Sequence, residues 1–185
     1  MTTFPDLQDL IRSIDSSFAG VEDIVATSVF DSAPAPKEKY ILVEVGSHSL
    51  AIQIDSLAEV GAVPKITFLP NLPVWILGIM NIRSEIISMV DFAGFLQEDQ
   101  GAQRRQKKLV VLRSNKVKVG IAVDSIVATV TKNRSEILSS VVGISTSIGK
   151  DLFIESILVD GRSYAILDVD NLLTHPRLVD FSGES

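Results

Sequence analysis

The chain has 185 residues, 46% of them hydrophobic, no cysteine, and a net charge of −6 from 17 basic and 23 acidic side chains. That composition excludes disulfides, thiolate metal sites and a cysteine nucleophile, and it supplies enough apolar material for a folded core. The longest apolar run, Val74–Met80, is far short of a membrane span, and the acidic N-terminus lacks the basic start of a secretory signal, so the expectation is a soluble cytoplasmic protein with no membrane insertion.

The first twenty residues carry apolar side chains at Phe4, Leu7, Leu10, Ile11, Ile14 and Phe18, a spacing that predicts an amphipathic helix. Thr3 and Pro5 suit its start and Gly20 its stop. Ala33-Pro34-Ala35-Pro36-Lys37-Glu38-Lys39 then reads as an extended linker, so 1–39 is a helix plus linker that either packs on its own domain or docks elsewhere. From Tyr40 the period becomes strand-like. Hairpins are predicted for Ile41–Val45 with Leu50–Ile54, Gly78–Met80 with Ile86–Val90, Leu109–Leu112 with Val117–Val123, and Phe153–Val159 with Tyr164–Leu167, the last around Asp160-Gly161. Helical material is expected only at a turn near Leu72–Leu77, at Ala93–Gln97 and from Asp170 to about Leu178, before a tail at 179–185.

The halves repeat each other. An offset of 69 carries Ile54-Asp55-Ser56-Leu57 onto Val123-Asp124-Ser125-Ile126, and an offset of 77 carries Val90-Asp91-Phe92 onto Leu167-Asp168-Val169. The pattern predicts a mainly β protein of two small five-stranded barrels, about 40–98 and 107–178, sharing a core where they meet. No βαβ alternation supports a parallel sheet.

No catalytic constellation emerges. His48, in a hairpin turn, and His175, beside Pro176, read as surface residues. Asp55, Asp91, Asp124 and Asp168 recur by repetition at strand ends, where Asp caps turns. No phosphate-binding loop, metal site or cofactor site is recognisable. The basic stretch Arg104, Arg105, Lys107, Lys108, Arg113, Lys116 and Lys118 lacks the interleaved aromatics of a nucleic-acid surface and reads as a solvated linker and outer strand face. What remains is a binding module on a β scaffold, with an enzyme as the weaker alternative.

Two segments carry a family resemblance. Tyr40–Gly46 through Leu57–Val60, and Pro70–Phe92 with its Gly78-Ile79-Met80-Asn81-Ile82-Arg83-Ser84 centre, resemble the CheW-like domain; Val119–Asp124, Ala165–Asp168 and Leu172-Leu173 match its second half. The resemblance covers about residues 40–178. It implies two SH3-like barrels and a non-enzymatic adaptor joining a chemoreceptor's cytoplasmic tip to the regulatory domain of a CheA-type histidine kinase, within receptor arrays. The alternative is a CheW-like subunit that competes for or modulates either surface, for instance in a type IV pilus motility pathway.

By resemblance, Arg83 matches an arginine of partner contact, and Leu57 and Glu59 match apolar and acidic positions near the partner surface. Gly78 and Gly120 match glycines where backbone passes closely. Ser84 replaces a usual glycine, Ala93 a common arginine, and Glu155-Ser156 stands near another common glycine.

Overall fold

A computed structural model describes residues 37–97, 107–115, 117–144 and 150–179. The predicted N-terminal helix, most of the linker, and 180–185 lie outside them. Among the described residues, eleven strands form two sheets. The first sheet is ordered β8-β1-β2-β11-β10-β9, from Ser125–Asn133, Lys37–Val45, His48–Gln53, Arg162–Leu167, Phe153–Val159 and Ile137–Leu138. The second is ordered β3-β6-β7-β5-β4, from Leu57–Ala62, Lys108–Ser114, Val117–Val123, Glu85–Asp91 and Ile76–Ile82. Short helices follow β5 (α1, Phe92–Phe95) and β11 (α2, Val169–Thr174; α3, Pro176–Val179).

All four predicted hairpins form. Asp160 and Gly161 have φ of 50° and 78°, so both central residues are left-handed, as the tight twist-matched hairpin turn requires. The segment around Leu72 is an irregular turn and not helix. β3, β8 and the two-residue β9 lie outside the predicted hairpins; Ser125–Asn133 is an edge strand whose Ile126-Val127-Ala128-Thr129-Val130 run is strand-like but has no hairpin partner next to it in the sequence.

The halves of the repeat do not map one to one onto the sheets. β1–β2 of the first half is flanked by β8 and β11 of the second, and β6–β7 of the second by β3 and β5 of the first. The exchange is reciprocal to the residue. Ser88 lies beside Val119 in the parallel β5–β7 pair, and Ala165 beside Leu50 in the parallel β11–β2 pair. The two sequence offsets convert one pair into the other. Likewise Asp91 N–H donates to the Trp75 carbonyl at 2.7 Å, and Asp168 N–H to the Leu152 carbonyl at 2.8 Å.

Alternation sorts the side chains of the central hairpins into separate cores. Tyr40, Leu42, Ala51, Tyr164 and Ile166 fill the interior of the first sheet. Leu109, Val111 and Ala122, with Met80, Ile87 and Met89, fill the second. The other faces, including Val43, Leu50, Ile52, Val110, Leu112, Ile121 and Val123, meet in one shared core. Strands buried on both faces must be apolar throughout, which accounts for the unbroken Tyr40–Val43 and Leu109–Leu112 runs. Each sheet also closes on itself. The chain leaving edge strand β8 returns as β9 on the opposite edge, beside β10, and the chain leaving β3 returns at Thr67, which exchanges hydrogen bonds with Ile79 of β4 at 2.8 and 2.9 Å.

Two expectations are corrected. His48 is not a surface residue: it is 1% exposed, with Nδ1 3.4 Å from the Gly143 carbonyl oxygen, because a loop of the second half folds over it. His175 is half-buried, edge-on to the Phe95 ring with centroids 5.7 Å apart. Nor do the four repeated aspartates act alike. Asp168 caps α2, accepting from Asn171 N–H at 3.0 Å, whereas Asp124 accepts from Gly46 N–H at 2.6 Å and pairs with Lys107 at 2.8 Å. No side-chain capping hydrogen bond forms at Asp91, the residue before α1.

Arg177 fastens the C-terminal helices. Its guanidinium lies 4.0 Å from the Trp75 ring centroid and 5.4 Å from that of Phe95, and Nη1 donates to the Phe95 carbonyl at 3.0 Å. Arg177→Ala should lower stability by about 1–3 kcal/mol in chemical denaturation, followed through the single tryptophan. Because the hairpins are exchanged, residues 37–97 or 107–179 expressed alone should lack native β structure by circular dichroism, and mixing the two should restore it.

Candidate partner-binding site

The β4–β5 turn presents the candidate arginine. Arg83 and Ser84 have φ of 49° and 69°, and Ser84 N–H donates to Asn81 Oδ1 at 3.1 Å. Left-handed backbone costs a residue with a Cβ roughly 1–2 kcal/mol, so the Ser84 departure leaves the turn geometry in place but strained. Arg83 Nε lies 3.2 Å from Glu59 Oε2, with the arginine side chain 84% exposed and the glutamate 34%. Glu59 is on β3 and Arg83 joins β4 to β5, so this pair ties the two edges of the second sheet together. Exposed ion pairs are weak, so its value lies in orienting the guanidinium more than in stability.

Leu57 sits two residues before Glu59 on β3. It is half-buried and packs against the shared core, so it reaches any surface only in part. Gly78 and Gly120 are buried. A Cβ on Gly78, whose φ is +132°, would lie 2.2 Å from the Thr67 carbonyl oxygen, at the bridge that closes the second sheet. A Cβ on Gly120 would lie 2.2 Å from Met80 Cε and 3.0 Å from Leu109 Cδ1, inside the same barrel. The structure therefore brings Arg83 and Glu59 into contact and sets both glycines beneath them as packing constraints.

Toward the other end of the β4–β5 hairpin lies a groove of about 360 Å³ that residue-by-residue reading missed. Ile79, Ser88, Val117 and Val119 floor it, with Leu72 and Leu178 at its sides. Ile86 on β5 is 72% exposed, and Val74 and Phe68 in the preceding loop are 91% and 74% exposed. The period-two alternation of β5, with Ile87 and Met89 inward, would have placed Ile86 and Ser88 on an outer face.

A second depression, about 270 Å³ and polar, lies at one end of the first sheet beside Glu38, Tyr40, Arg134, Glu155 and Asp168. The Tyr40 hydroxyl donates to Glu38 Oε2 at 2.5 Å; burial first, then this bond, push the phenol above its ordinary range. Arg134 makes a two-pronged pair with Glu155 at 2.6 and 2.7 Å. Among the described residues, no group of three or more His, Asp or Glu side chains is placed to hold a metal ion, and no helix is long and apolar enough to cross a membrane.

The described residues thus form two barrels joined by exchanged hairpins, with an oriented arginine at one hairpin tip and an apolar groove elsewhere on the second sheet. The family model of the CheW-like domain matches residues 39–177, and the chain belongs to that family. Chemotaxis protein CheW of Thermotoga maritima is 29% identical over 144 residues, covering 76% of this chain and 91% of that protein. Protein PilI of Pseudomonas aeruginosa is 32% identical over 73 residues, 38% of this chain and 41% of its own length. The crystal structure of the scaffolding protein TtCheW from Thermoanaerobacter tengcongensis superposes with a TM-score of 0.66 at 17% identity, over 75% of this chain and 94% of that one.

The strain and closure described above separate two kinds of substitution. Ser84→Gly should raise stability by about 1 kcal/mol, and Gly78→Ala should lower it by more than about 3 kcal/mol. Gly120→Ala should fall between them, since flexible side-chain ends give way more readily than a carbonyl. Thermal and urea unfolding of the three variants would check this order.

Proposed function

We propose that this chain is a non-enzymatic adaptor that couples the cytoplasmic tip of a chemoreceptor to the regulatory domain of a CheA-type histidine kinase, in the cytoplasm at membrane receptor arrays. The observation that carries this reading is the oriented Arg83, 84% exposed at a hairpin tip and braced by Glu59, in a chain of the CheW-like family. A guanidinium held by one nitrogen still offers its others to a partner carboxylate or carbonyl. Ile86, 72% exposed three residues further along the same hairpin, adds apolar surface of the kind a stable protein contact needs at its centre.

The role of Leu57 is indirect in this reading: packed against the shared core, it sets the position of β3 and so of Glu59. Gly78 and Gly120 act through the shape of the second barrel. A variant at any of these three tests folding before it tests contact, whereas Arg83 separates the two.

Binding of the purified chain to the kinase regulatory domain of its own genome should be micromolar. Arg83→Ala should weaken it by roughly tenfold, about 1.4 kcal/mol, with the unfolding midpoint little changed. Equal binding by wild type and Arg83→Ala would remove the arginine from the interface. In reconstituted receptor arrays a coupler raises kinase activity, and a subunit that competes for either surface lowers it.

A further inference from the structure

One residue joins the two C-terminal helices. His175 closes α2, its N–H donating to the Leu172 carbonyl at 3.1 Å, and its own carbonyl accepts from Leu178 N–H at 2.8 Å and Val179 N–H at 3.3 Å in α3. Its ring caps α3 as well. Arg177, the second residue of that helix, donates its backbone N–H to His175 Nδ1 at 3.2 Å, as an orphan donor of a first helical turn does to a capping side chain. Pro176 between them has no N–H to satisfy and suits the first helical position.

That hydrogen bond exists in only one charge state. An imidazole nitrogen accepts when it carries no proton, so the capping ring is neutral with its proton on Nε2. In the imidazolium both nitrogens are donors, and Nδ1–H would face the Arg177 N–H. The residue that loses its cap is the one that fastens the helices, since the Arg177 guanidinium lies on Trp75 and Phe95 and donates to the Phe95 carbonyl. His175 stands edge-on to that same Phe95 ring, so its proton would also set a second cation close to the guanidinium. The surrounding elements offer little to offset this. α1, which supplies Phe95, carries no ionisable side chain, and on α2 Asp170 is exposed in the first turn. The Asp168 carboxylate is committed to Asn171 N–H at 3.0 Å. The C-terminal end of α2 and the N-terminal end of α3 act on a charge at His175 in opposite directions.

We propose that His175 is a proton-operated latch. Neutral, it holds α3 and Arg177 over Trp75; on taking up a proton from solvent it lets both go. Histidine is the side chain whose ordinary charge change falls near neutral pH. The latch is closed on the alkaline side and opens as pH falls, because the closed form requires the unprotonated ring. Leu178 and Val179 of α3 line the groove of the second sheet, so opening removes that wall of it. The device changes surface at the C-terminal helices while leaving both barrels intact, and it does not rest on the identity of the partner at Arg83.

The test uses the full chain, whose single tryptophan is Trp75, 6% exposed. Lowering the pH from about 8 to about 5 should move wild-type emission reversibly to longer wavelength as water reaches the indole, with the β-sheet circular dichroism unchanged. His175→Asn keeps a capping acceptor that gains no proton, so its emission should hold the short-wavelength position throughout. The other histidine of the sequence, His48, is present in both proteins, so an equal shift in both would assign the titration elsewhere and overturn the proposal. Unchanged wild-type emission would overturn it too. A readout that needs no variant is the tautomer: nitrogen–proton NMR correlations at about pH 8 should place the His175 proton on Nε2, and a proton on Nδ1 would remove the capping bond on which the latch depends.

Discussion

The structure depends on the parallel pairing of β5 with β7 and of β11 with β2. These two contacts bind the last strand of each half to the central hairpin of the other, so neither barrel is complete within one half of the sequence. They also place both faces of the central hairpins in apolar surroundings, one inside a barrel and one in the shared core. Burying β1, β2, β6 and β7 twice over supplies a large share of the hydrophobic core. The short helices then cover what the sheets leave open, with Arg177 clamped on Trp75 and Phe95 as the fastening.

Barrel closure is the second constraint, and the candidate contact residue grows out of it. The return of the chain at Thr67 onto β4 requires a position with no Cβ, and Gly78 supplies it. Five residues on, the hairpin turns over Arg83 and Ser84, and Arg83 reaches back to Glu59 on the opposite edge strand. The exposed guanidinium is therefore oriented by the closure of the sheet beneath it. A scaffold protein needs surfaces whose geometry is set before the partner arrives, because ordering them on contact would weaken binding.

Repetition makes the departures from symmetry informative. Where the halves agree, as in the paired hydrogen bonds Asp91 to Trp75 and Asp168 to Leu152, the common requirement is the fold. Where they differ, Ser140 and Gly143 of the second half contact the buried Ser156 and His48, whereas the corresponding Ser88 and Val117 are exposed. A surface that is covered in one half and open in the other is one the fold itself does not require.

The sequence by itself determined the strand-forming segments, their turns and the existence of a repeat, because alternation, Asp-Gly and the repeated Asp-Ser are local signals. It also carried the family resemblance, through the order of Gly78, Asn81, Arg83 and Asp91. The exchange of hairpins was decided only in three dimensions, since nothing local tells a strand whether its neighbour lies in its own half or the other. The same holds for the burial of His48, which depends on a loop ninety-five residues away, and for the Arg83–Glu59 contact, which joins strands on opposite edges of one sheet. Edge strands β3 and β8 escape a search for hairpins because each pairs with a strand distant in sequence, β6 and β1. Periodicity records which residues are buried; the partner that buries them is chosen by packing of the whole chain.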